Sequence, residues 1–202
     1  LRPSNSVRMP MASIFADLDG YTAYVDRAVA SGGVADAVRD LHVIRGELNA
    51  VLQDDFDGRK VRFIGDCLHG LIAAGEGTQT HLARTVELAT ACAGGIRSSF
   101  DLCLEQLPTA SSLGLAIGCE VGLTPVSRIG IRGERSVRVA SSVSTLVSEQ
   151  IQRECDGRQT SLGPEALRHA SSETRQLFDG RGIGTDLDYD AVALQSAGGA
   201  TA

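Results

Sequence analysis

Residues 60–74 read KVRFIGDCLHGLIAA, two short apolar runs on either side of Gly65-Asp66. Such a pair between strand-forming runs is a two-residue hairpin signal. The hairpin lies between two long segments with helical periodicity. Before it, Val34, Val38, Leu41, Ile44, Leu48 and Leu52 recur every three or four residues. After it, Leu82, Val86, Ala89, Ala93, Ile96, Phe100 and Cys103 do the same. A doubly wound parallel sheet needs a crossover between its strands, so a hairpin framed by helices points elsewhere.

The rest of the chain fits that frame. Residues 11–19 form an apolar strand that Gly20 breaks, and Thr22 is the expected N-cap of a helix running to about residue 30. Ser31-Gly32-Gly33 is a loop. Segments 113–122 and 124–131 read as a second hairpin turning near Gly122, and 136–140 as a further strand. Residues 141–153 read as a helix with Val143, Val147 and Ile151 on one face. A strand at 160–162, a helix opening at Pro164 and a last strand at 191–194 follow. The order β-α-α-β-β-α-β-β-α predicts an α+β fold, a mostly antiparallel sheet with helices packed on it. Residues 1–10 read as a mobile, weakly basic arm, 11–195 as one domain and 196–202 as a disordered tail.

Composition narrows the function. The 202 residues carry 25 acidic and 19 basic side chains, so nothing suggests a basic face for a nucleic-acid polymer. No apolar run reaches the roughly 18 residues of a membrane span, and no signal-peptide pattern opens the chain. The five cysteines are odd in number and widely spaced, without a CxxC pair. They read as reduced thiols of a cytoplasmic protein. The four histidines do not cluster in sequence and read as surface or internally satisfied groups.

Two carboxylates stand out by position. Asp17 ends the first strand just before a glycine turn, and Asp66 sits at the hairpin tip. Carboxylates at the ends of neighbouring strands can share hard divalent cations, which take oxygen ligands. After Asp17, the run Leu18-Asp19-Gly20-Tyr21-Thr22 leads into a helix N-terminus, where backbone N–H groups favour an anion. Metal carboxylates beside a phosphate-binding turn suggest two-metal phosphoryl chemistry.

Taken together these segments resemble the class III nucleotide cyclases. ASIFADLDGYTAY (12–24) resembles that family's first metal motif, F-x-D-x-x-G-F-T. KVRFIGDCLHGLIA (60–73) resembles the second, K-x-x-x-x-G-D followed by an apolar strand. IGCEVGLTPVSRIG resembles the family's glycine-rich hairpin, with Gly118, Gly122 and Gly130 in register, and TSLGPEAL the stretch after its catalytic helix. The resemblance spans about residues 12–170. It implies a ferredoxin-like α+β domain working as a head-to-tail homodimer with its sites at the interface. It also implies two Mn²⁺ or Mg²⁺ ions per site, held by Asp17, Asp66 and the Leu18 carbonyl. The turn from Asp19 through Gly20 and Tyr21 to Thr22 would cradle a triphosphate.

Departures from the family pattern bear on the substrate. The base-reading position four residues before the second metal aspartate is Arg62, where adenylate cyclases carry Lys and guanylate cyclases Glu. The second reader falls on Val137, which cannot hydrogen-bond a base edge. The family's Asn and Arg on the catalytic helix fall, counted without gaps, on Ser144 and Ser148. Arg128, Arg132, Arg135, Arg138 and Arg153 are the candidates to replace the missing arginine, Arg135 and Arg138 foremost. This combination resembles the bacterial pyrimidine cyclases of antiphage signalling, whose smaller base leaves room for bulk such as Phe15, on the same strand face as Asp17. Arg62, a donor only, matches O4 of uracil better than the amino group of cytosine. The expected activity is conversion of UTP to cyclic UMP and pyrophosphate, the product reaching a downstream effector as a second messenger. Two other readings stand beside it: an adenylate cyclase making cyclic AMP, and a non-catalytic nucleotide-sensing module.

Overall fold

The computed structural model describes residues 6–76, 79–130 and 136–198. In chain order its elements are β1 (Ser6–Asp19), α1 (Tyr21–Ser31) and α2 (Val34–Ala50), the last ending in a π-turn, Val51–Asp55. The hairpin β2 (Arg59–Ile64) and β3 (Cys67–Ile72) follows, then two-residue strands β4 (Gly75–Glu76) and β5 (Gln79–Thr80), and α3 (Leu82–Gln106). Next come β6 (Gly114–Gly130), β7 (Ser136–Ala140), α4 (Val143–Arg153) and β8 (Gln159–Leu162). Two short helices, α5 (Pro164–His169) and α6 (Ser172–Gln176), lead to β9 (Ile183–Thr185) and α7 (Tyr189–Gly198).

The main sheet runs β2-β3-β1-β6-β8-β9, with β7 paired to the far half of β6. Every pairing is antiparallel except β6 with β8. The α+β expectation therefore holds. Alternation along the strands gives the sheet two different faces. Ala12, Ile14, Ala16 and Leu18 of β1 join Leu115, Ile117, Cys119 and Val121 of β6 in the main core. There they meet Ile44 and Leu48 of α2 and Val86, Ala93, Ile96 and Phe100 of α3. Each buried Val, Leu, Ile or Phe among them contributes about 2 kcal/mol. The opposite face presents Ser13, Phe15, Asp17, His69, Gly118 and Gly122, and α4 lies across it.

Several expectations are corrected. Residues 113–130 hold no hairpin, because β6 runs unbroken from Gly114 to Gly130 and Gly122 pairs with Met11 of β1. The glycines serve close approach instead. A Cβ on Gly118 would stand 2.3 Å from the Ser148 carbonyl oxygen and 2.7 Å from the Gln152 nitrogen of α4. Residues 6–10 are not a mobile arm, since they are paired with 123–127 of β6. Residues 191–194 are not a strand. Asp188 Oδ1 accepts from the Ala191 backbone N–H at 2.8 Å, and α7 continues to Gly198. The apolar run was short enough to suit either structure.

Helix α4 departs most from expectation. Its buried residues are Ser144, Thr145, Ser148 and Gln152, while Val143 is 77% and Leu146 64% exposed. The helix has its small polar side chains against the sheet and much of its apolar surface toward solvent. All five cysteines are free thiols, as expected. Among the described residues no helix is long and apolar enough to cross a membrane.

Candidate active site

Strand β1, inside the sheet, carries Asp17 toward the edge formed by the strand ends and stops at Asp19. Gly20 then turns the chain in the left-handed region (φ 81°), where a side chain is strained, and α1 starts at once. Gly20 is the N-cap residue and no side chain caps the helix, so Thr22 does not have the role the sequence suggested. The first N–H groups of α1 have no partner within the helix, and an anion can serve as one. The β2–β3 turn brings Asp66 to the same edge. Asp17, Leu18, Asp19, Gly20, Tyr21, Thr22, Ala23 and Asp66 line one open cleft of about 400 Å³. The two aspartates, 49 positions apart in the chain, share one site.

The cleft holds two carboxylates whose charges are only weakly offset, by Arg153 for Asp17 and by Arg45 for Asp66. Burial raises the pKa of Asp17, although the Cys67 thiol and the Gln152 amide both donate to it and act to lower it. Asp66 is pushed up to about 6, first by burial and then by the negative charge of Asp17. A divalent cation between them would relieve both effects. The oxygen-only donor set suits a hard ion such as Mg²⁺ or Mn²⁺. Among the described residues no group of three or more His, Cys, Asp or Glu side chains can hold a metal. Asp17 and Asp66 offer the two carboxylates of a partial shell, the kind that backbone carbonyls, a substrate phosphate and water complete. The residues present therefore fit the ions that the sequence resemblance implied.

Asp19 is exposed, and its Oδ2 accepts from the Gly157 backbone N–H at 3.1 Å. That bond ties the turn to the loop after α4. Other expected site residues lie outside the cleft. Phe15 is 2% exposed and stacks on His69, so within one chain it supports the sheet and does not wall the cleft. Arg62 is exposed on β2, paired with His69 of β3. Val137 is exposed on β7. Arg138 donates from Nη1 to the Lys60 carbonyl at 3.0 Å, which brings β7 beside β2. Ser144 faces the sheet, with Oγ 2.8 Å from Ser142 Oγ and 3.2 Å from Thr124 Oγ1. Ser148 is buried and donates to Ser13 Oγ at 3.0 Å. Arg153 pairs with Glu149. Arg132 and Arg135 lie outside the described residues.

Sequence reasoning missed two groups. Gln152, 4% exposed, directs Nε2 to Asp17 Oδ2 at 3.4 Å. His69, 1% exposed, lies beneath the same face with Nε2 3.2 Å from Ser13 Oγ. The alternation of β3 places His69 on the face of Cys67, which was a usable signal. Gln152 lies one helical turn after Ser148, but nothing in the sequence said which face of α4 meets the sheet.

No family model matches the chain. A solved structure described as a class III adenylyl cyclase-like ATP-binding protein from Pseudomonas aeruginosa superposes with a TM-score of 0.87. It is 41% identical, over 95% of this chain and 41% of that one. This chain belongs to the class III nucleotide cyclase family. The guanylyl cyclase Cya2 shares the fold of this cyclase domain, with a TM-score of 0.69 at 20% identity over 84% of the chain and 82% of Cya2. Two curated relatives are named uridylate cyclase. One, from a Rhizobium species, is 53% identical over 95% of the cyclase chain. The other, from Pseudomonas aeruginosa, is 42% identical over the whole of it. The chain spans 36% and 40% of those two proteins.

Proposed function

We propose that this cyclase domain converts UTP to cyclic UMP and pyrophosphate as a homodimer. The observation that carries the reading is its 53% and 42% identity to two proteins named uridylate cyclase. The cleft supports it, since Asp17 and Asp66 line it together. Bound divalent ions supply charge neutralisation of the triphosphate and a lowered pKa for the ribose 3′-hydroxyl. The ribose 3′-hydroxyl gives up its proton to water, its oxygen forms a bond to the α-phosphorus, the bond from that phosphorus to the bridging oxygen breaks, and pyrophosphate leaves. Asp17, Asp66 and the Leu18 carbonyl hold the ions. The uncapped N–H groups at the start of α1 hold the phosphates. Arg62 reads an acceptor on the base edge, O4 of uracil.

Arg62 lies outside its own chain's cleft, which supports sharing of each site between two chains. The outward apolar side of α4 supports the same assembly. Beside it runs a groove of about 610 Å³ lined in part by Leu123, Pro125, Val143 and Val147. A second copy seated there would cover surface that a monomer leaves to water. The product would act in the cytoplasm as a second messenger in antiphage defence.

A second reading, adenylate cyclase chemistry, is favoured by the 41% identity to a protein described as ATP-binding. Purified protein incubated with each of the four nucleoside triphosphates and Mn²⁺, with products identified by mass spectrometry, separates the readings. Cyclic UMP as the main product is expected. Cyclic AMP alone would overturn the pyrimidine assignment, and nucleotide binding without any product would establish a non-catalytic module.

A further inference from the structure

Helix α4 is fastened to the metal-bearing strand by two polar contacts one helical turn apart. Ser148 Oγ donates to Ser13 Oγ at 3.0 Å, and Ser13 Oγ lies 3.2 Å from His69 Nε2. One turn on, the Gln152 amide donates to Asp17 Oδ2 at 3.4 Å. Between these contacts the backbone of α4 rests on Gly118, where no Cβ fits. Gln152 is nearly inaccessible to water, and its amide points at one oxygen of one carboxylate in the cleft.

We propose that Gln152 is a positioning residue for the metal carboxylate Asp17, with the Ser148–Ser13–His69 chain keeping the helix in register for that contact. The proposal rests on the metal reading above. A carboxylate held at Oδ2 loses rotamer freedom, so less ordering remains to be done when a cation arrives. An amide suits the role because it donates without adding charge. A lysine there would compete with the cation, and a glutamate would add repulsion.

The test measures binding of Mn²⁺ alone to the full chain, by loss of the free-ion electron paramagnetic resonance signal. Gln152→Met keeps length and removes the donor. It is expected to weaken Mn²⁺ binding about tenfold, the lower end of the usual range for outer-shell partners of metal ligands. Gln150→Met is the control, on the same helix, where the amide donates to Glu154 at 3.1 Å. It is expected to leave binding unchanged. Should Gln152→Met not fold, the wild type supplies the answer. The side-chain amide resonance of Gln152 is expected to shift with Mg²⁺ and to broaden away with Mn²⁺. Wild-type binding with an unaltered affinity in folded Gln152→Met would overturn this proposal alone, as would an amide resonance insensitive to either ion. No binding to the wild type would overturn the metal reading and this proposal with it.

Discussion

The imidazole of His69 lies flat on the ring of Phe15, with centroids 4.2 Å apart and planes 13° from parallel. This stack joins β3 to β1 on the sheet face that carries Asp17. The ring's Nε2 meets Ser13, while Nδ1 is buried without a hydrogen-bond partner. Burial, and then the positive charge of Arg62, lower the pKa of His69 to about 4. The ring is neutral at physiological pH.

That shift predicts an acid-sensitive contribution to stability. Above about pH 6.5 His69 is neutral in both folded and unfolded chains and contributes no pH dependence. As pH falls from there toward 4, the unfolded chain takes up a proton that the folded one refuses, and stability is lost. The loss amounts to about 3 kcal/mol at most. Urea denaturation of wild type and His69→Phe across this window should show their stability difference drifting in favour of the variant as pH falls. A difference independent of pH would refute the assignment.

Asp66 has the opposite sign. Its folded pKa lies above its unfolded value, so stability is lost as pH rises from about 4, where the unfolded carboxyl ionises, to about 6, where the folded one does, and stays lost above that. Asp66→Asn removes this repulsion. Without metal the variant is expected to be more stable at pH 7 by about 1 kcal/mol after allowing for solvent screening, with the gain vanishing below about pH 4. The same variant should show no cyclase turnover. Normal turnover would sink the metal role.

Gly118→Ala tests the seat of α4. The added Cβ would meet backbone atoms of Ser148 and Gln152, which cannot swing aside as a flexible side chain can. A loss of about 2 kcal/mol in chemical denaturation is expected, as for overpacking elsewhere. Mn²⁺ affinity should fall with it, because Gln152 would be lifted from Asp17. A silent substitution would mean that α4 is not clamped there.

Arg62 is exposed, so its replacement should leave the melting temperature unchanged. Losing a charged hydrogen bond to the base should lower kcat/KM for UTP at least tenfold in Arg62→Ala. Steady-state kinetics with UTP and ATP would show the preference between them narrowing. An equal fall for both nucleotides would assign Arg62 to the phosphates instead.

Leu146→Glu places a charge on the outward side of α4. Light scattering is expected to report a monomer, and turnover should disappear with the dimer. A dimer that persists with full activity would move the interface elsewhere.

The hairpin at Gly65-Asp66, the two long apolar-striped helices and the strand that carries Asp17 were all legible in the residue order. Each depends on interactions within a few positions: a turn's backbone preference, or an apolar period of 3.6 or 2. The two aspartates could be paired because their segments together resemble the two metal motifs of one family; the antiparallel pairing of β1 with β3 is what makes them neighbours. Gly122 misled for a physical reason. A glycine that admits a crossing helix looks, in sequence, like a glycine that turns a chain. The helix at 143–153 misled more, because its valines look like a core stripe. Only the packed structure, with Gly118 and Gly122 under the helix and a polar row of Ser13, His69 and Thr124 facing it, decides that the serines go inward. Sequence determined which chemistry the chain carries. Tertiary packing decided which groups touch Asp17, because that contact joins positions 135 residues apart whose proximity no local preference encodes.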